Sequence, residues 1–274
     1  IKVNAELSEE ICFAPLMDFS VVTDMKDSTK HAASFDVPET SFTKEFYEDS
    51  NSAQMQIFTD HMSKLLMLAG EDEQSAAEGA RLYFEFEKTL ANAAMNREDY
   101  SDVAKAYNLF TMDELKSMFS GLALDMVYSA SHLESTDRIV VTDVGLTRAL
   151  AEYIKDENLE SLKAYMKIQL LLRYGSTVSR DFEAVSKEFS EKLLGTDTSV
   201  SDEELYTMQL QGAMPEYIGK LYSERFFSEE AKQDVTKMAM EIVDFYKERI
   251  GALTWMSDTT KAAALKKLDT LMIK

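Results

Sequence analysis

The sequence predicts a mainly α protein: a multi-helix lobe with a few short strands near its N-terminus and around residues 138–142. Three observations carry that expectation. Nine glycines and three prolines in 274 residues are far below the roughly 12% of an average chain, which argues against a turn-rich sandwich or barrel. Apolar residues recur at spacings of three and four over several long stretches, the period of one helical face. The Ser/Thr-x-x-Glu pattern, in which two side chains satisfy the free N–H groups of a helix start, occurs at Thr111–Glu114 and again at Ser201–Glu204.

Residues 1–50 read as an extended, turn-rich leading segment, because two of the three prolines and the β-branched or aromatic runs at 19–22 and 34–37 fall there. The helical body occupies 51–274. Met55, Phe58, Met62, Leu65, Leu66 and Ala69 line one face of a helix that Gly70 ends, and Leu82, Phe86, Leu90 and Ala93 do the same over 75–94. Thr111 opens a helix carrying Leu115, Met118, Phe119 and Leu122. Residues 138–142 form the best strand of the middle region, and Asp143 caps the helix after it. A long helical stretch from Asn158 is expected to bend near Gly175 and stop at Gly195, since glycine enters the left-handed conformation cheaply. Ser201 and Ser228 start two more helices, the second burying Val235, Met238, Ile242 and Phe245.

Lys plus Arg total 29 against 49 Asp plus Glu, a formal net charge of −20 with no basic stripe, which excludes a nucleic-acid or anionic-membrane surface. The most concentrated apolar run, 168–172, is far short of the roughly 20 residues a bilayer span needs. Cys12 is the single cysteine, expected to be a small buried hydrophobe, and no Asn-x-Ser/Thr acceptor occurs. The chain opens without Met or a signal pattern, and its last amphipathic segment ends without a terminator. Both features lead us to expect an excised piece of a longer polypeptide, with 1–274 a single lobe.

The three histidines, His31, His61 and His132, are 30 and 71 positions apart, so no pair shares a helical face for zinc. No phosphate cradle, dinucleotide turn or nucleophile elbow is present. Asp24, Asp27 and His31 read as a turn with caps rather than a metal site. The sixteen methionines read as core filler, with Met55, Met62, Met118 and Met238 facing inward. No catalytic and no metal-ligating residue is assigned.

Several segments, in order, resemble the amino-terminal helical region of the neprilysin and endothelin-converting-enzyme family of zinc metalloendopeptidases. Asp24-Met25-Lys26-Asp27-Ser28, then Pro38 and Phe46-Tyr47, is similar to the family's Asp-x-Lys-x-Ser stretch and its tyrosine-ended continuation. Tyr107-Asn108 with Thr111 resembles Tyr-Asn-x-x-Thr, and Phe189 with Leu193, Leu194 and Gly195 resembles a Phe…Leu-x-Gly helix end. Gly219, Leu221 and Tyr222 match a Gly-x-Leu-Tyr element. Trp255, Met256, Lys261, Ala264 and Lys267 match Leu-x-Trp-Met…Thr-Lys-x-x-Ala-x-x-Lys. The resemblance implies a bacterial family member whose His-Glu-x-x-His zinc site lies in a catalytic domain beyond this sequence. It further implies a non-catalytic lobe that walls a substrate chamber and admits peptides, inert by itself and without a cofactor of its own. Its expected partners are the catalytic domain of the same polypeptide and, for the parent enzyme, peptide substrates; the isolated piece is expected to self-associate. Placement at the cell surface or in secretion is favoured over the cytoplasm. A free-standing acidic helical binding or scaffold protein is the alternative.

Overall fold

The computed structural model describes residues 1–48, 52–133, 136, 138–195 and 200–273. The backbone falls into two compact units, 1–198 and 199–274.

The first unit opens with a helix the sequence pattern does not reveal, α1 (Lys2–Ile11), where an extended start was expected. Its buried face consists of Asn4, Ala5 and Ser8, while Val3 and Ile11 are exposed. A helix docked through small and polar residues leaves no apolar stripe to read. Asn4 replaces that stripe with hydrogen bonds, its Oδ1 accepting from Leu16 N at 2.8 Å and its Nδ2 donating to Met17 O at 2.8 Å. The helix ends at Cys12, which adopts the left-handed conformation (φ 53°) and is exposed rather than buried.

Strands β1 (Asp18–Thr23) and β2 (His31–Asp36) form the expected hairpin, with Asp18 opposite Asp36 and Thr23 opposite His31. Helix α2 (Lys44–Glu48) follows within what was read as extended chain. Ser52 caps α3 (Ala53–Leu68) and Asp72 caps α4 (Glu73–Ala93), matching the predicted pair of helices. After α5 (Val103–Ala106), the three-residue strand β3 (Asn108–Phe110) pairs antiparallel with β4 (Ile139–Val141), and β4 runs parallel to β2. The resulting sheet has the order β1-β2-β4-β3. Thr111 and Glu114 close a full capping box on α6 (Met112–Met118), which is followed by α7 (Leu124–Ala130). Asp143 caps α8 (Val144–Tyr153).

The long stretch from Asn158 is two helices, α9 (Leu159–Val178) and α10 (Arg180–Leu194), and the break falls at Ser179 rather than at Gly175. Gly175 stays helical, and the Phe182 ring of α10 lies 3.0 Å from where a Cβ would sit, a space that only glycine leaves open. Gly195 (φ 69°) ends α10 in the left-handed conformation, as its residue type predicts. The core between sheet and helices is rich in aromatic rings. Phe35 meets Phe119 at 5.5 Å and Phe86 meets Tyr165 at 4.6 Å between centroids, pairs that each contribute about 0.5–1.5 kcal/mol beyond burial.

The second unit consists of α11 (Asp202–Ala213), α12 (Pro215–Phe226), α13 (Glu229–Ala252) and α14 (Asp258–Asp269). Its boundaries follow local rules: a capping box at Ser201–Glu204, proline at the start of α12, and serine caps at 228 and 257. Helix α11 packs on α12, and α13 on α14, where Lys247 pairs with Asp269 at 2.8 Å. Among the described residues of this unit Val243 is the single buried hydrophobic side chain. The stripe expected to be core, Val235, Met238, Ile242 and Phe245, is exposed. Among the described residues no helix is long and apolar enough to cross a membrane.

Candidate functional site

Two of the motif segments meet in space. The turn after β1 places Asp24 beside Tyr107, 83 positions away in the chain, at the start of β3. Asp24 is 2% exposed. Its Oδ1 accepts from the backbone N–H groups of Lys26 (2.8 Å) and Asp27 (3.2 Å), and its Oδ2 accepts from Tyr107 Oη (2.8 Å) and Arg138 Nη2 (2.7 Å). Lys26 Nζ lies over the Tyr107 ring, 4.6 Å from its centroid. These donors, the Lys26 N–H foremost and then the Tyr107 hydroxyl, hold the Asp24 carboxyl below its usual range. A saturated, acidic carboxylate is a poor proton acceptor, so the cluster is a clasp that ties the hairpin turn to β3 and β4, not a general base. Asn108 extends the clasp, donating to Lys105 O at 2.8 Å and Val141 O at 3.0 Å. Asp27, held down to about 2 by Lys30 and then Thr29, completes the turn.

Removing the Tyr107 hydroxyl (Tyr107→Phe) is expected to lower the urea midpoint without changing the m-value. Asp24 is more acidic folded than unfolded, so its contribution is present above its unfolded pKa and disappears as pH falls through the folded one. The difference between the two proteins should therefore shrink in acid, which urea titrations at a series of pH values would register.

Glu87 on α4 is 0% exposed, and no motif or spacing singles it out in advance. Its Oε1 accepts from Ser41 N (3.2 Å), Ser41 Oγ (2.7 Å) and Tyr83 Oη (2.9 Å), and its Oε2 from Tyr47 Oη (2.5 Å). Burial raises the Glu87 carboxyl against the pull of these four hydrogen bonds, and the Tyr47 and Tyr83 hydroxyls are pushed far up by burial and by Glu87 itself. Gln169 of α9 donates to Tyr83 Oη at 3.0 Å, so the network joins α2, α4, α9 and the loop at Ser41. Asp143 performs a similar duty elsewhere, capping Leu146 N at 2.9 Å while accepting from Met95 N and Tyr100 Oη.

The motif residues from Gly219 to Lys267 belong to the second unit. Gly219 has open space where a Cβ would be. Leu221 and Tyr222 are exposed, and Tyr222 faces Phe226 at 5.3 Å as a surface ring pair. Trp255 is 77% exposed, so it does not plug the junction of α13 and α14, and Met256 is half-buried. Lys261 donates to the Gly251 carbonyl at 3.3 Å across that junction, Ala264 is half-buried and Lys267 exposed. Tyr206, Met208, Tyr217, Phe226 and Tyr246 add to the exposed apolar set.

Among the described residues no three His, Cys, Asp or Glu side chains converge to hold a metal ion. His31 is exposed on β2, His61 is buried in α3 and His132 follows α7 with φ 53°. The donor set therefore does not fit zinc. A groove of about 1150 Å³ between α1, α4 and α9 is walled by aliphatic side chains, among them Leu7, Leu16, Leu82 and Met166. Charged groups share its lining, among them the ion pairs Lys167–Glu71 and Lys163–Glu160.

The amino-terminal model of Peptidase family M13 matches residues 2–274. The chain is 26% identical to neutral endopeptidase of Lactobacillus helveticus over 93% of its own length and 40% of that protein. It is 24% identical to neprilysin of Mus musculus over 97% of its length and 38% of that protein. Its fold is similar to that of PepO from Lactobacillus rhamnosis, with a TM-score of 0.81 at 19% identity, covering 99% of this chain and 44% of that one. Zinc metalloprotease Zmp1 of Mycobacterium tuberculosis in complex with inhibitor gives 0.79 at 22% identity, covering 92% and 39%.

Proposed function

Because the chain belongs to peptidase family M13, we propose that it is the non-catalytic helical domain of a neprilysin-like zinc metalloendopeptidase, forming one wall of a chamber that admits peptides. The observation that carries the reading is the second unit: four helices, three of them serine-capped and one begun by proline, that leave their apolar side chains open, among them Tyr217, Ile242, Phe245 and Trp255. Exposed apolar patches of this kind belong to surfaces that another body covers. The chain spans about two fifths of the relatives it matches, which supports the catalytic part of the same polypeptide as that body. Both units then serve the same non-catalytic part, and the motif residues act in packing and docking.

Zinc, in the whole enzyme, would supply a polarised water for peptide hydrolysis; its ligands are sought outside these residues, and no bond-breaking step is assigned to this chain. The wall acts by exclusion, since a folded protein would have to lose its own stability before threading into an enclosed space. A bacterial source is supported by the neutral endopeptidase relatives, and placement at or outside the cell surface rests on the family resemblance.

A quenched fluorescent peptide assay with and without chelator tests the reading on the 274-residue chain and on a longer polypeptide containing it. The expected result is no hydrolysis by the first, and chelator-sensitive hydrolysis of peptides but not of folded proteins by the second. Chelator-sensitive turnover by the shorter chain, or equal attack on folded proteins by the longer one, would overturn it.

A further inference from the structure

Helix α10 is the last helix of the first unit, and Phe182 is its one fully buried side chain. Its other principal hold is on α3, at His61. The imidazole is 4% exposed and stacks face to face on Phe189, with centroids 4.3 Å apart and planes 13° from parallel. Its Nδ1 has no hydrogen-bond partner, a buried polar atom that the packing leaves unsatisfied. Four charged groups line this contact: Asp60 and Lys64 from α3, Glu188 and Lys192 from α10. Glu188 is already committed, accepting from Lys64 at 2.7 Å and Lys192 at 2.6 Å. A proton on His61 would therefore place a cation in a buried ring stack beside Lys64; Glu188, shared between two lysines, and the backbone of Val185 favour that proton but do not outweigh burial and Lys64.

We propose that the His61–Phe189 stack is an acid-sensitive clasp: protonation of the imidazole releases α10 from α3 while the helices beneath stay folded. Burial first, and then Lys64, holds the His61 pKa down to about 4. An unfolded histidine takes up its proton near 6.5. The open state thus binds more protons between these values, and the clasp, intact above the higher one, weakens as pH falls toward the lower. Release of α10 precedes global unfolding because the helix is held by so few buried groups.

Hydrogen–deuterium exchange of the whole chain, corrected for intrinsic rates, tests the proposal. Between about pH 7 and about pH 4.5, exchange of α10 amides should rise ~10- to 100-fold relative to those of α4, the range the two protonation constants allow. His61→Gln, similar in size and without a titrating ring, should abolish that rise, and His61→Phe serves the same purpose should glutamine fail to fold. Parallel loss of protection in α4 and α10, or an undiminished rise in a folded variant, would overturn the clasp.

Discussion

Glu87→Ala is expected to destabilise the first unit by about 3–5 kcal/mol, because it strands the buried hydroxyls of Tyr47 and Tyr83, removes the tie to Ser41 and opens a cavity between α4 and the Ser41 loop. Glu87→Gln should cost less, about 1–3 kcal/mol, since the amide keeps one acceptor but turns an N–H pair toward groups that also donate. Urea unfolding measures both. The pH dependence separates this network from simple packing. The Glu87 carboxyl is raised on folding, so its contribution to stability is fullest below the unfolded pKa and declines as pH rises through the folded one. Glu87→Gln removes that decline. Equal slopes in wild type and variant would place the ionisation elsewhere.

The second large effect concerns association. Ile242 and Phe245 lie one turn apart on the exposed side of α13. Replacing both with glutamate leaves helix propensity nearly intact and removes little burial within the unit. It places two charges in a patch that would be covered by a partner. Buried anchors of this type commonly contribute about 2 kcal/mol or more each to an interface. Sedimentation velocity of the chain should therefore show concentration-dependent self-association in the wild type, and a monomer for Ile242→Glu with Phe245→Glu. In a longer polypeptide the same pair should abolish peptidase activity with the helical circular-dichroism signal retained. A wild-type chain that stays monomeric at every concentration, joined to an unimpaired longer double variant, would remove this face from the docking surface.

These two sites differ in how far they could be read in advance. The α13 stripe is visible as a three-and-four spacing, yet a stripe says that some surface will cover it and not which one. Met238 illustrates the point: its position matches that of Met55 and Met62, which are buried, but it is exposed. Glu87 was hidden for the opposite reason. A glutamate in a helix is ordinarily solvated, and its burial is tolerated here because Tyr47 and Ser41 arrive from elsewhere in the chain, beside Tyr83 one turn away on the same helix, with hydroxyls to donate. Helix α1 escaped the apolar pattern because Asn4, a polar residue, is its anchor.

By itself the sequence determined the helical class, the caps at Thr111, Asp143, Ser201 and Ser228, the stop at Gly195 and the family resemblance. Each of those structural features is set by side chains acting within four residues of themselves, where chain connectivity already supplies the partner. Tertiary structure alone decided that Asp24 meets Tyr107 and Arg138, that His61 faces Phe189, and that Glu87 is enclosed. Those contacts join positions dozens of residues apart, and the free energy that selects them comes from burying whole faces together, a quantity no local spacing encodes.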